Sequence, residues 1–435
     1  MSHIPILLVQ LVVILLAARL IGKLFRKIHQ PQVIGEMVAG IILGPSLMGT
    51  LFPEFSAWLF PIESLGALSA ISQLGLILFM FLVGLELDPR SLKERGSTAL
   101  LVSHFSIIFP FFLGSLLALI LYPRLSDNSV SFIHFSIFLG VAMSITAFPV
   151  LARILIERKL LNTPLGAISI TSAAINDVTG WLLLAVVVLL VRSSESGLPL
   201  WLTVAGLLVF LSIMLFLVRP FFEKWGKRLQ HTNSVSHDSL ALILLLVIIS
   251  SWFTELLGVH ELFGAFIAGV VLPKEHGFVQ TITDKLNDLT VVLLLPIFFA
   301  LTGLRTSINL LNEPGLWLFA GLIILVAITG KFGGAAAAAR YSGLSWRESG
   351  AVGVLMNTRG LMELVLLNIG LEIGVISPAL FAMLVLMAIT TTFMTAPLLE
   401  WIYYVRVVPG KYAVPVRISD SQSTAEDVAA SVTLE

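Results

Sequence analysis

Five side chains in this sequence carry charge or amide chemistry into stretches that are otherwise apolar: Asn176 and Asp177 side by side, then Lys331, Arg359 and Glu363. Asn176 and Asp177 interrupt a run that extends from about residue 163 to 191. At ~1.5 Å of rise per residue, Asp177 falls ~20 Å from the start of that run, close to the middle of a bilayer. A carboxylate there costs roughly 2.5 to 3.5 kcal/mol on insertion scales, so such groups usually face an aqueous cavity or an ion pathway. Proton and metal cation are the occupants a lone acid at that depth can accept. The competing reading is a protonated aspartic acid that only ties its helix to a neighbour.

The two cations raise the complementary problem. Lys331 lies in Gly330-Lys331-Phe332-Gly333-Gly334 and Arg359 in Asn357-Thr358-Arg359-Gly360, both at membrane depth. Inside hydrocarbon each needs a carboxylate, a helix C-terminus or water. One reading has them offset the negative ends of interrupted helices while Asp177 titrates. The alternatives are that Lys331 snorkels to the interface and that Glu363, four residues after Arg359, is a purely structural partner.

The elements that position these groups follow from composition. With 57% hydrophobic and 12% charged residues and a mean hydropathy of +1.00, the chain is expected to be an all-α polytopic membrane protein. Thirteen spans are predicted, near 4–22, 32–51, 63–87, 97–122, 131–155, 163–192, 198–219, 237–257, 260–273, 286–305, 314–339, 349–371 and 376–405. The ninth is the shortest. Two spans are interrupted by polar or helix-breaking residues: the fifth by Ser144-Ile145-Thr146-Ala147-Phe148-Pro149, the twelfth by Asn357-Thr358-Arg359-Gly360. The missing N–H of Pro149 is expected to leave the Ile145 carbonyl without an intrahelical partner. A proline kink alone is common in membrane helices. Paired breaks at matching depth point to an ion site, because freed carbonyls and opposed helix ends can hold ions.

Charge narrows the class and orients the chain. The net charge is zero and there are no cysteines, so no basic face for nucleic acid, no disulfide and no cysteine nucleophile or zinc ligand is expected. No cleavable leader is evident before Ile4, so the first span reads as retained. Alternate loops carry clusters such as Lys23, Arg26 and Lys27; Arg90, Lys93 and Arg95; Arg153, Arg158 and Lys159; Arg219, Lys224, Lys227 and Arg228; Lys274 and Lys285; Arg340 and Arg347. The opposite loops offer little beyond Arg124, Arg192 and Arg305. By the positive-inside rule the N-terminus lies outside and the C-terminus, with Arg406, Lys411 and Arg417, in the cytoplasm. Residues 411–435 read as a polar cytoplasmic tail, disordered from Ser419, with no soluble regulatory domain after it.

A duplication is visible. Gly35 to Leu43 echoes Gly264 to Leu272, Phe81-Leu82-Val83-Gly84-Leu85 echoes Ala300-Leu301-Thr302-Gly303-Leu304, and Gly140-Val141-Ala142-Met143 echoes Gly353-Val354-Leu355-Met356. Each pair is seven spans apart. Seven is odd, so the halves are predicted to cross the membrane in opposite senses, as in secondary transporters.

These motifs, with Ile34-Gly35-Glu36-Met37-Val38-Ala39-Gly40, Gly84-Leu85-Glu86-Leu87-Asp88, Ala174-Ile175-Asn176-Asp177 and Asn357-Thr358-Arg359-Gly360-Leu361-Met362-Glu363-Leu364, resemble the monovalent cation:proton antiporter-2 family. That resemblance implies a homodimer in the cell membrane, most simply a bacterial inner membrane. It further implies a dimer domain (about 1–96 and 237–312), a mobile core with two crossed discontinuous helices (about 97–192 and 313–405) and a linker helix (about 198–219). The exchanger domain would span 1–410. Asp177 would bind the transported Na+ or K+ and the proton, with Asn176, Ser144 and Thr146 beside it. Lys331, Arg359 and Glu363 would balance charge. No cofactor is expected; the partners are small inorganic cations and membrane lipids.

One departure from the wider superfamily bears on stoichiometry. Electrogenic members place an aspartate before the ion-binding one, where Asn176 stands here, so electroneutral one-for-one exchange is expected. The acidic partner that some members keep five residues before the aspartate is replaced by Ser172, which leaves open how Lys331 and Arg359 are neutralised. A sodium-coupled organic-anion symporter and a potassium-efflux channel are the competing functions. An intramembrane aspartyl protease lacks its second aspartate.

Overall fold

The computed structural model describes residues 4–28, 30–86, 96–126, 130–158, 160, 163–192, 200–229, 236–274, 276–403, 405–406 and 414–415. The expected Arg90, Lys93, Arg95, Lys159, Lys411 and Arg417 charges, and the tail from Ser419, lie outside them. The first repeat runs through α1 (Ile4–Lys27), α2 (Gln32–Leu43), the short α3 (Met48–Leu51) and α4 (Pro53–Leu59), α5 (Ile62–Glu86), α6 (Gly96–Leu125), α7 (Phe132–Ser144), α8 (Phe148–Glu157) and α9 (Pro164–Arg192). Then α10 (Leu200–Ile213) continues through one π-helical turn, Met214–Val218, into α11 (Arg219–Leu229). The second repeat comprises α12 (His237–Leu256), α13 (Glu261–Val271), α14 (His276–Asp288), α15 (Leu295–Arg305), α16 (Pro314–Tyr341), α17 (Trp346–Met356), α18 (Leu361–Glu372) and α19 (Pro378–Ile402). The sole strand pairing among the described residues joins Val405–Arg406 to Val414–Pro415.

Helices are the forced solution, because lipid offers nothing to hydrogen-bond a free backbone group. Ten described helical segments are long and apolar enough to cross a bilayer, eleven with the bent pair α17 and α18, and α7 and α13 are shorter apolar helices. Serines start several of them: the hydroxyls of Ser131, Ser236, Ser345 and Ser377 accept from the third residue of α7, α12, α17 and α19. Helix limits differ from the sequence reading where turns or amphipathic ends decide them. The second span runs from Gln32 to Leu51 as expected, with its helix broken after Leu43, where Gly44-Pro45 interrupts α2 before the short α3. The tenth begins ten residues early, since polar α14 runs through a π-helical turn into α15.

The echoed glycines explain why those segments resemble one another. A methyl group on Gly40 would fall 2.2 Å from the Ala300 carbonyl oxygen, and one on Gly303 would fall 2.5 Å from the Ile41 nitrogen, where α2 crosses α15. The counterpart crossing, α5 on α13, is as tight: methyls on Gly84 and Gly269 would each lie 2.2 Å from a carbonyl oxygen, of Phe266 and Phe81. Small residues let these backbones touch. Thus α2, α5, α13 and α15 form one packed group, flanked by α1 and α12, while α6, α7, α9, α16, α17 and α19 form another.

Candidate functional site

Both predicted interruptions are real, and they meet. Residues 145–147 separate α7 from α8, and residues 357–360 separate α17 from α18, which are bent by 42°. The Ala147 N–H donates to the Thr358 carbonyl (3.0 Å) and the Thr146 hydroxyl to the Met356 carbonyl (3.1 Å), so each break satisfies groups of the other. The break is not a kink at Pro149. That residue sits second in α8, where a missing N–H is harmless, and so it begins a helix.

The end of α7 is negative by construction, since its last carbonyls have no intrahelical donor. Arg359 meets it with two bonds of 2.8 Å, Nη1 to the Ala142 carbonyl and Nη2 to the Met143 carbonyl. Lys331 Nζ donates to the Ser144 carbonyl and, at 3.1 Å, to the Ser106 carbonyl. Both cations are buried, Lys331 at 0% exposure, which removes the snorkelling alternative. Arg359 Nη1 also pairs with Glu363 Oε1 at 3.0 Å, both side chains fully buried. Glu363 stands in the first turn of α18, where a helix N-terminus favours its charge.

The opposite end holds Asp177. It lies mid-way along α9, 4% exposed, with its carboxylate beside the Phe148 backbone that opens α8. Its Oδ1 is buried without a hydrogen-bond partner, and Asp177 forms no ion pair among the described residues. Asn176, fully buried, accepts from the Thr146 N–H through Oδ1 (3.1 Å) and donates to Ser106 Oγ through Nδ2 (3.0 Å). The Ser144 hydroxyl turns back onto Gly140 and Ile107 carbonyls (2.7 and 3.0 Å), and its own carbonyl faces Lys331. All seven predicted residues therefore gather about one crossing. Ser172, at the position of the missing acid, bonds the Ala99 carbonyl (3.1 Å).

The sequence reading missed two members. Ser106 of α6 accepts from Asn176 on its hydroxyl and from Lys331 on its carbonyl. Thr392 of α19 accepts from the Arg359 N–H (2.9 Å) and donates to the Arg359 carbonyl (2.7 Å). Each had a signal, the polar Ser103-His104-Phe105-Ser106 in span four and the run Thr390-Thr391-Thr392 in the last span.

Two interrupted helices crossing beside an intramembrane carboxylate, in a bundle with a duplicated helix pattern, define a multi-pass membrane protein of the transporter class. The chain belongs to the family described as sodium/hydrogen exchanger, transmembrane, whose sequence model matches residues 12–401. It is 44% identical over 401 residues to the Na(+)/H(+) antiporter NhaS4 of Synechocystis, covering 92% of this chain and 97% of that protein. It is 42% identical to cation/H(+) antiporter 17 of Arabidopsis thaliana and 37% identical to K(+)/H(+) antiporter 1 of Saccharomyces cerevisiae, covering 94% and 99% of this chain. The chain spans about half the length of those last two, 49% of each. Its fold is similar to the solved sodium proton antiporter MjNhaP1 of Methanocaldococcus jannaschii, with a TM-score of 0.59 at 18% identity, covering 92% of this chain and 97% of that one.

Proposed function

We propose that the protein is a secondary active antiporter that exchanges a monovalent cation, Na+ or K+, for a proton, the two competing for Asp177. The observation that carries this reading is the Asp177 carboxylate: buried, facing the start of α8, with one oxygen unpartnered and no cation paired to it among the described residues. Bare and charged, it is costly in a low-dielectric interior; covered by a proton or a desolvated cation, it is not. Asn176, Ser144 and Thr146 each keep an oxygen lone pair with which to complete a cation's shell. The names of the relatives, a Na(+)/H(+), a cation/H(+) and a K(+)/H(+) antiporter, favour the same chemistry.

Arg359 is engaged by Glu363 and two carbonyls, and Lys331 by two carbonyls. Asp177 is then the group free to change partner, so one proton is exchanged for one cation and no net charge crosses. The group containing α2, α5, α13 and α15 acts as a dimer domain, joined by α10 to a core built from α6 to α9 and α16 to α19. Rocking of the core against it gives alternating access. The chain works as a homodimer in the cell membrane, its N-terminus outside.

The test is exchange in proteoliposomes. With an imposed pH gradient, added Na+ or K+ dissipates the gradient in the parent at a rate indifferent to a voltage clamp. Asp177→Asn falls to the rate of empty liposomes; undiminished dissipation in that variant removes the site assignment.

A further inference from the structure

A second polar cluster sits where α15 and α18 end. A cavity of about 30 Å³, room for about two waters, lies there between α5, α13, α15 and α18, with Ser72, Gln73, Thr302 and Asn368 in its walls. Arg305, in the last turn of α15, reaches across it. Its Nη1 donates to Asn368 Oδ1 (3.0 Å) and Glu372 Oε1 (2.8 Å), two residues four apart on one face of α18. Asn368 returns a bond from Nδ2 to Thr302 Oγ1 of α15 (3.0 Å). Since α15 packs with α2 and α5, and α18 with α7 and α19, these three bonds join the two packed groups of helices.

We propose that Arg305, Asn368 and Glu372 form a latch that holds this face of the protein shut, and that its release opens a route toward Asp177 from that side. The proposal rests on the reading of two groups that rock against each other. Its chemistry suits a contact that is made and broken in every cycle. The Arg305 and Glu372 side chains are 31% and 43% exposed, so water takes over their charges when they part. The dry Arg359–Glu363 pair could not separate without stranding a charge, and it joins residues of one group only. Ser72, Gln73, Thr302 and Asn368 give water its partners in an otherwise apolar lining once the cavity opens.

The chain has no cysteine, so one introduced at Ser72, 3% exposed in the wall of the cavity, reports alone. In proteoliposomes, a membrane-impermeant thiol reagent is expected to label Ser72→Cys about fivefold faster when Arg305→Gln or the more conservative Glu372→Gln is added, the factor that follows from losing a weak contact. The exchanged pair Arg305→Glu with Glu372→Arg restores slow labelling. The same vesicles are assayed for cation-driven proton movement. Unchanged labelling in both single variants, with exchange intact, overturns the latch and leaves the antiport reading standing. Faster labelling with no exchange in the Ser72→Cys parent supports the latch and removes the antiport reading.

Discussion

At the first interruption, the last carbonyls of α7 are met by two cations, and the carboxylate of Asp177 lies beside the start of α8. At the second, neutral groups serve: the Thr146 hydroxyl and the Ala147 N–H cover the Met356 and Thr358 carbonyls, and the Thr358 hydroxyl turns back to Leu355 (2.6 Å). The backbones nonetheless follow one pattern. Counted from the paired glycines Gly140 and Gly353, Thr146 and Arg359 occupy equivalent places, six residues on. The N–H of each donates to a side-chain oxygen of the last helix of its repeat, Asn176 in α9 and Thr392 in α19. Duplication has kept the frame and divided the labour. The first copy gathers charge at its break, and the second supplies part of that charge through Arg359 while its own exposed carbonyls are met by neutral donors.

If this division is correct, the largest stability loss comes from removing the cation that one copy lends the other. Arg359→Met strands the Ala142 and Met143 carbonyls and Glu363 together, and is expected to destabilise the protein by about 3–5 kcal/mol, read as a fall in melting temperature in detergent. Adding Glu363→Met should recover part of that loss; no recovery would mean that the stranded carboxylate is not what the single variant suffers from. Next comes a change of charge inside the first break. Asn176→Asp places a second carboxylate beside Asp177, and exchange is expected to become voltage-dependent in clamped proteoliposomes. A rate still indifferent to voltage contradicts the account of Asp177 as the lone partner-changing group. The smallest effect is expected at the neutral break: Thr392→Val removes the bonds to the Arg359 backbone and should cost about 1–2 kcal/mol while exchange persists. Loss of exchange in a folded Thr392→Val variant would show that the second break is more than a frame.

The sequence carried the charged side of this comparison and little of the neutral side. Ionisable residues in apolar runs are conspicuous, so Asp177, Lys331, Arg359 and Glu363 could be read directly. The duplicated glycines were legible because a close backbone crossing tolerates nothing larger. Backbone acceptors have no residue type, so the carbonyls of Ala142, Met143 and Ser144 could not be named as what the two cations hold. Ser106 and Thr392 use ordinary hydroxyls, common in membrane helices, and only their neighbours give them meaning. Pro149 alone left a kink and a break both open, since a proline in a long apolar stretch suits either; only the structure shows it in the first turn of a new helix.

One bond fixes how the two copies share motion. The Ala147 amide on the Thr358 carbonyl stitches the interruptions together at their point of closest approach. Neither strand of the crossing can be displaced alone without orphaning a main-chain group in a dry environment, so the pair travels as a single knuckle. Ala147 should consequently be among the last amides in the chain to exchange with deuterium, through every step of the working cycle.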